Sequence, residues 1–221
     1  MVYHLRQTRA VRRWLVLPLL VFVTACSAPT QQFPGSKADG AYFAAPREWR
    51  KISFAELQKY ERSSSNQDVV DRASMVRYEV ALTPSKEVNA KDVFSLAPVD
   101  QPVAFMRIRD LFPEEINSAS YNSLRSVLVP LSRMVTNPQP DDAPFDLIDD
   151  FEVADKGGRG VRTIYRITLQ GQEQVIDQTA VTSDDRRTLY VFVIRCTTEC
   201  YNKNEKVMTT IADSFSVKGP R

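Results

Sequence analysis

The sequence predicts an α+β fold: one antiparallel sheet with helices packed on both faces. Three observations carry that expectation. From Phe145 to Val181, three segments alternate apolar and polar residues at the strand period of two, separated by glycine-bearing turns at Lys156 to Gly160 and at Gly171. A fourth segment, Leu189 to Ile194, is apolar on both faces and belongs in the middle of a sheet that is covered on both sides. Helix-start signals flank the block, at Pro113-Glu114-Glu115 before it and at Asn202 with Glu205 after it.

Residues 1–25 read as an export signal. Arg6, Arg9, Arg12 and Arg13 form a basic front, and Trp14 to Val23 form an apolar core shorter than the ~20 residues that span a bilayer. Val23-Thr24-Ala25-Cys26 resembles the bacterial lipobox, which makes Cys26 the expected lipidation site and first mature residue. A durable anchor needs more than one acyl chain, since each buried methylene contributes roughly 0.8 kcal/mol. Arg12-Arg13 also allows twin-arginine export, with general secretion as the default. Residues 26–40, polar with two prolines and two glycines, read as a lipidated N-terminus and flexible tether, and residues 41–221 as a single α+β domain. The expected location is the cell membrane, lipid-anchored on its extracytoplasmic face.

Within that domain Ala41 to Ala44 reads as a short strand, Pro46 to Trp49 as a turn, and Phe54 to Glu61 as a helix with Phe54, Leu57 and Tyr60 on its inner side. Ser63 to Asp68 reads as a loop. In the strand Ser74 to Leu82, Val76, Tyr78, Val80 and Leu82 face inward, and Arg77 and Glu79 outward. Val103 to Ile108 is a further strand, with Ala104, Met106 and Ile108 inward. The helix opened by Pro113 is expected to run to about Val129, before Pro130 and Asn137-Pro138-Gln139-Pro140 break the chain. In the meander, Phe145, Leu147, Asp149, Phe151 and Val153 share one face of their strand. The last helix is expected to start at Asn202 and to turn Val207, Met208 and Ile211 inward.

Composition narrows the function classes. From Cys26 onward, 25 basic residues stand against 27 acidic ones, a balance of −2 with no basic run, so the electrostatic footprint of a nucleic-acid binder is missing. Setting Cys26 aside leaves Cys196 and Cys200, expected to form a disulfide in an oxidising compartment, if the chain turns through Thr197-Thr198-Glu199. The sole histidine is His4, inside the signal, which removes Ser-His-Asp and Cys-His catalysis and HExxH zinc sites from the mature protein. There is no GxSxG elbow and no SxxK pair.

Tyr42-Phe43-Ala44-Ala45-Pro46-Arg47-Glu48-Trp49, Arg195-Cys196 through Tyr201-Asn202, and Ile211 to Val217 resemble the PsbP-like superfamily, within it the actinobacterial lipoproteins. The resemblance covers most of residues 41–217. It implies a sandwich fold and a non-enzymatic binding or accessory role with partners in an envelope or membrane assembly, and it transfers no catalytic residues.

Other clusters have plainer readings. Asp141, Asp142, Asp146, Asp149 and Asp150 form the densest acidic run, but strand alternation sends neighbouring carboxylates to opposite faces and no EF-hand order is present. Glu114/Glu115 and Asp184/Asp185 read as exposed acids at a helix start and a turn. Gly157-Gly158-Arg159-Gly160 lies between alternating strands and lacks the ending of a phosphate loop. Aromatics such as Trp49, Phe105, Tyr121, Tyr165 and Phe192 are core candidates, some of which would line a pocket if one exists. The expected function is a membrane-anchored binding or accessory module for an envelope protein or an apolar ligand. No catalytic residue, metal or cofactor is implied. The alternative is a thiol-disulfide redox protein using Cys196 and Cys200, and a more distant one a carboxylate hydrolase built on the Asp141 to Asp150 run.

Overall fold

One central strand orders the computed structural model, which describes residues 29–220. In chain order the elements are β1 (Gln31–Gln32), β2 (Gly35–Ser36), β3 (Ala41–Tyr42), β4 (Ala45–Pro46), β5 (Arg50–Ile52), α1 (Phe54–Arg62), α2 (Gln67–Ser74), β6 (Val76–Thr83), α3 (Ala90–Phe94), β7 (Val103–Asp110), α4 (Pro113–Ser118), α5 (Tyr121–Arg125), α6 (Leu131–Thr136), β8 (Phe145–Asp155), β9 (Gly158–Leu169), β10 (Gln172–Ser183), β11 (Thr188–Thr197), α7 (Thr198–Asp213) and β12 (Ser216–Val217). Seven strands form one antiparallel sheet in the order β5-β6-β7-β11-β10-β9-β8. The doubly apolar β11 is thus the middle strand, as its composition requires. The chain leaves β7, crosses through three short helices to the far edge, and returns as a meander to pair β11 with β7.

Two faces bury different cores. On one, Ala104, Met106 and Ile108 of β7 and Tyr190, Phe192 and Ile194 of β11 pack under Met208 and Ile211 of α7 and the N-terminal Phe43. On the other, Leu124 of α5 and Leu131 and Met134 of α6 cover Tyr165, Ile176 and Val191, while Leu57 of α1 and Val93 of α3 cover Ala81 and Val103. Helices therefore lie on both faces of an α+β sandwich.

Tight turns set the meander's register. Gln170 and Gly171 both have positive φ, 51° and 77°, and form a two-residue loop joining Leu169 to its cross-strand partner Gln172, the arrangement that matches strand twist. In the β8–β9 hairpin, Asp155 pairs with Gly158 and only Lys156-Gly157 turns, so the expected five-residue turn is mostly strand.

Several expectations are corrected. The segment from Gln31 to Gly40 is part of the fold, not a tether: β1 pairs with β4, and β2 and β12 flank β3 in a second small sheet. Such two-residue pairings are too short to leave a periodic signal. The single helix expected from Pro113 to about Val129 breaks after Ser118, because the Ser120 hydroxyl accepts from the Ser123 N–H at 3.2 Å and starts a new helix. α2 was not anticipated, since its eight residues include only Val69, Val70 and Ala73 as apolar positions. On α1, Leu57 is buried, but Gln58 and Glu61 take the inner positions expected for Phe54 and Tyr60. α7 begins at Thr198 and not Asn202, its N-cap being Thr197, whose hydroxyl accepts from the Cys200 N–H. Val207, expected inward, is exposed. The signal of residues 1–25 and Cys26 lie outside the described residues.

Candidate functional site

On the face opposite α7, the α1–α3 group and the α4–α6 group leave a cleft between them. Its floor is Phe105, Arg107 and Arg109 of β7 with Leu189 and Val191 of β11, and Leu111, Leu124, Val127 and Leu128 make the far wall. The cavity measures about 510 Å³ and shares Ala119, Leu124 and Thr182 with a shallower depression of about 640 Å³ over Tyr121, Arg159 and Arg186. A volume of this order suits a small ligand or a lipid tail. Strand alternation explains the floor: Ala104, Met106 and Ile108 turn to the α7 face, so Phe105, Arg107 and Arg109 must face the cleft.

Both floor arginines are already neutralised. Arg107 donates to Glu79 at 2.7 and 3.0 Å, pairs with Glu61 at 2.6 Å, and has its guanidinium 5.0 Å from the Phe94 ring and 5.4 Å from that of Phe105. Arg109 grips Glu115 with two bonds of 2.6 and 2.7 Å, and Glu115 also accepts from the Phe112 N–H at 2.9 Å. These two donors hold the Glu115 carboxyl below its ordinary range, Arg109 foremost, against the opposing effect of burial. Glu79 moves the other way: it is fully buried and shares one guanidinium with Glu61, and burial raises its carboxyl above the ordinary range. Glu79 was expected to face solvent and Glu115 to be a merely exposed acid; both instead hold cleft arginines. Arg72, at the rim, pairs with no acid among the described residues.

The cleft serines are tied to the backbone. The Ser118 hydroxyl donates to the Glu114 carbonyl at 2.9 Å, that of Ser123 donates to the Ser120 carbonyl at 2.8 Å, and that of Ser126 accepts from the Ser132 N–H at 3.2 Å. A low carboxylate beside pre-engaged hydroxyls makes a poor base–nucleophile pair.

The cysteines lie on the other side of the sheet. Cys196 and Cys200 are bonded, with Cα atoms 5.9 Å apart, and the turn they need is the first turn of α7. Both are buried, and the Cys196 sulfur lies 3.6 Å from that of Met208. The acidic run is not gathered: Asp142 pairs with Arg133, Asp146 with Arg166 at 3.1 Å, and Asp150 with Arg125 at 2.8 Å. A bulge between Leu147 and Asp149 also divides the expected single face of β8, so that Leu147 and Phe145 border α6 while Phe151 and Val153 border the α7 side. Of the aromatics, Phe105 and Tyr121 line the cleft and its extension, and Phe43, Tyr165, Tyr190 and Phe192 are core.

One further group was invisible in the sequence. Arg195 is buried without a carboxylate, donating to the carbonyls of Asp92, Ser95 and Ala97 and to Gln174, and burial pulls its guanidinium down to about 10. It pins the chain after α3 to the sheet beside the cleft.

No protein-family model matches the chain, and no curated protein matches it. Solved structures similar to it include PsbP (CyanoP) of the cyanobacterium Synechocystis sp. PCC 6803, at 13% identity over 87% of this chain and 95% of that one, with a TM-score of 0.49. LpqN of Mycobacterium tuberculosis, described as involved in cell envelope biogenesis, is 9% identical over 86% of this chain and 91% of its own, with a TM-score of 0.46. The Ran-binding protein Mog1p of Saccharomyces cerevisiae is 8% identical over 86% and 96% of the two chains, with a TM-score of 0.43.

Proposed function

We propose that the chain is a non-enzymatic binding module, anchored through an acylated Cys26 on the extracytoplasmic face of the cell membrane, whose cleft holds the apolar part of an envelope molecule. The cleft itself carries this reading: at the centre of the sheet Phe105, Leu189 and Val191 of the floor and Leu111, Leu124, Val127 and Leu128 of the wall offer apolar surface, and the two floor arginines between them are already satisfied by the chain's own acids. An occupant therefore gains mainly by burying apolar surface, about 25 cal/mol per Å². The same features speak against hydrolysis, since the serines and Glu115 are already engaged.

Burial also weighs against the redox alternative. Thiol-disulfide exchange needs a thiolate to reach one sulfur, and both sulfurs sit beneath α7.

Native mass spectrometry of the full-length protein purified from its own envelope in mild detergent tests the reading. A retained apolar molecule is expected, and Val191→Trp, which fills the floor, should cut its retention at least tenfold in protein that circular dichroism shows to be folded, with a melting temperature lowered by the added bulk at this buried position. If nothing is retained, or if Val191→Trp leaves the occupancy as it was, the cleft is not the binding site.

A further inference from the structure

The outermost strand of the sheet makes a second site, independent of the cleft. β8 pairs with β9 along one side, and its other side pairs with no strand among the described residues. It is eleven residues long, enough to template a full partner strand. Exposed apolar side chains collect there: Leu147, Ile148 and Phe151 are 47%, 44% and 40% exposed, and Val135 of α6, 59% exposed, borders the same groove as Leu147. Because of the bulge, one depression lies on each side of the edge, an apolar one of about 220 Å³ beside Leu147 and Val135 and one of about 160 Å³ beside Phe151 and Phe215 that the Arg162–Asp213 ion pair also lines. A strand laid along β8 would drop alternate side chains into the two.

Charge decides what kind of strand fits. β8 contains five acidic residues and no basic one. Asp146 and Asp150 are paired with arginines, and Asp155 accepts from Ser216 and the Val217 N–H, which leaves Asp149 and Glu152 with no basic side chain at ion-pair distance among the described residues. A second copy of this chain would set acid against acid across the new pair, which is unfavourable, whereas lysine or arginine opposite Asp149 and Glu152 is favourable. Bulge and acids together also discourage indiscriminate edge pairing.

The geometry points to β8 as a docking edge for an extended segment of a partner protein that carries two basic residues three positions apart among apolar ones, because Asp149 and Glu152, three apart, face opposite sides of the sheet. Main-chain hydrogen bonds to the open edge supply affinity, the two depressions select side chains, and Asp149 and Glu152 select charge.

Hydrogen exchange of the full-length protein in detergent, with a soluble peptide of about ten residues that sets two lysines three positions apart among valines and threonines, tests this. The expected result is slowed exchange over Phe145–Asp155, with at least tenfold weaker binding of the matching glutamate peptide. The double variant Asp149→Lys/Glu152→Lys should reverse the preference, a gain of binding that an unfolded variant cannot produce. The proposal is overturned if neither peptide slows exchange in β8, if the wild-type protein binds both equally, or if charge reversal leaves the preference unchanged. Protection of β8 that rises with protein concentration in the absence of peptide would also overturn it, making a second copy the occupant.

Discussion

Glu79 shows how a single side chain can contradict its sequence pattern. Strand alternation correctly sends it to the face opposite Val80, but that face is covered by α1, so the carboxylate is buried between Gln58 and Arg107. Because burial lifts its value in the folded protein above the unfolded value of 4.5, the stability it contributes is complete at low pH and is lost as pH rises through the folded value. Glu115 has the opposite sign: its value is lowered, first by Arg109, so its contribution is present at neutral pH and lost as pH falls. Glu79→Gln keeps a hydrogen-bonding amide at the site and leaves Glu61 to pair with Arg107. It should therefore remove the part of the melting-temperature decline that occurs as pH is raised above about 4.5, as read by calorimetry from pH 4 to 8. An unchanged slope would show that Glu79 stays ionised throughout.

At the scale of elements, the junction between β11 and α7 has no loop at all. Thr197 ends the strand and caps the helix, and Cys196–Cys200 clamps the two across that cap. The ring is small, so the loop-entropy model gives about 2 kcal/mol of stabilisation. The double variant Cys196→Ala/Cys200→Ala should lower the unfolding free energy by about that amount in urea melts while binding at the cleft persists, since the disulfide and the cleft lie on opposite faces. In an insulin-reduction assay the wild-type protein should show no turnover; turnover abolished by Cys200→Ser would restore the redox reading. The capping box at Asn202 and Glu205 misplaced the helix start because those residues sit mid-helix, where the motif has no free N–H groups to satisfy. The long helix expected after Pro113 failed for the converse reason: the apolar spacing of Ile116, Leu124 and Leu128 is helical, but Ser118 and Ser120 offer the backbone competing partners.

For the whole molecule, the pairing of β1 with β4 brings the fold to within five residues of Cys26. An acyl anchor there would hold the domain within roughly 17 Å of the membrane at about 3.4 Å per residue, far less than a fifteen-residue tether allows. Cys26→Ala should move the protein from the membrane fraction to the soluble extracytoplasmic fraction and abolish labelling by palmitate analogues, without changing its melting temperature. Retention at the membrane by the variant would remove the anchor from the proposed function.

The order of the meander, the central place of β11, the inward faces of β7 and the α+β class were all legible, because each rests on periodicity within one segment and on the absence or presence of polar residues on a face. The cysteine pairing was legible as well, since only two candidates remained once Cys26 was set aside. What no segment contains is its neighbour. The cleft exists because α1–α3 and α4–α6 stop short of one another over β7 and β11, the open edge exists because β8 is last in the sheet, and Arg107 is paired because α1 brings Glu61 down beside Glu79. Local pattern fixes which side of a strand each residue takes; only the packing of separate elements decides whether that side meets water, a carboxylate or an empty cavity.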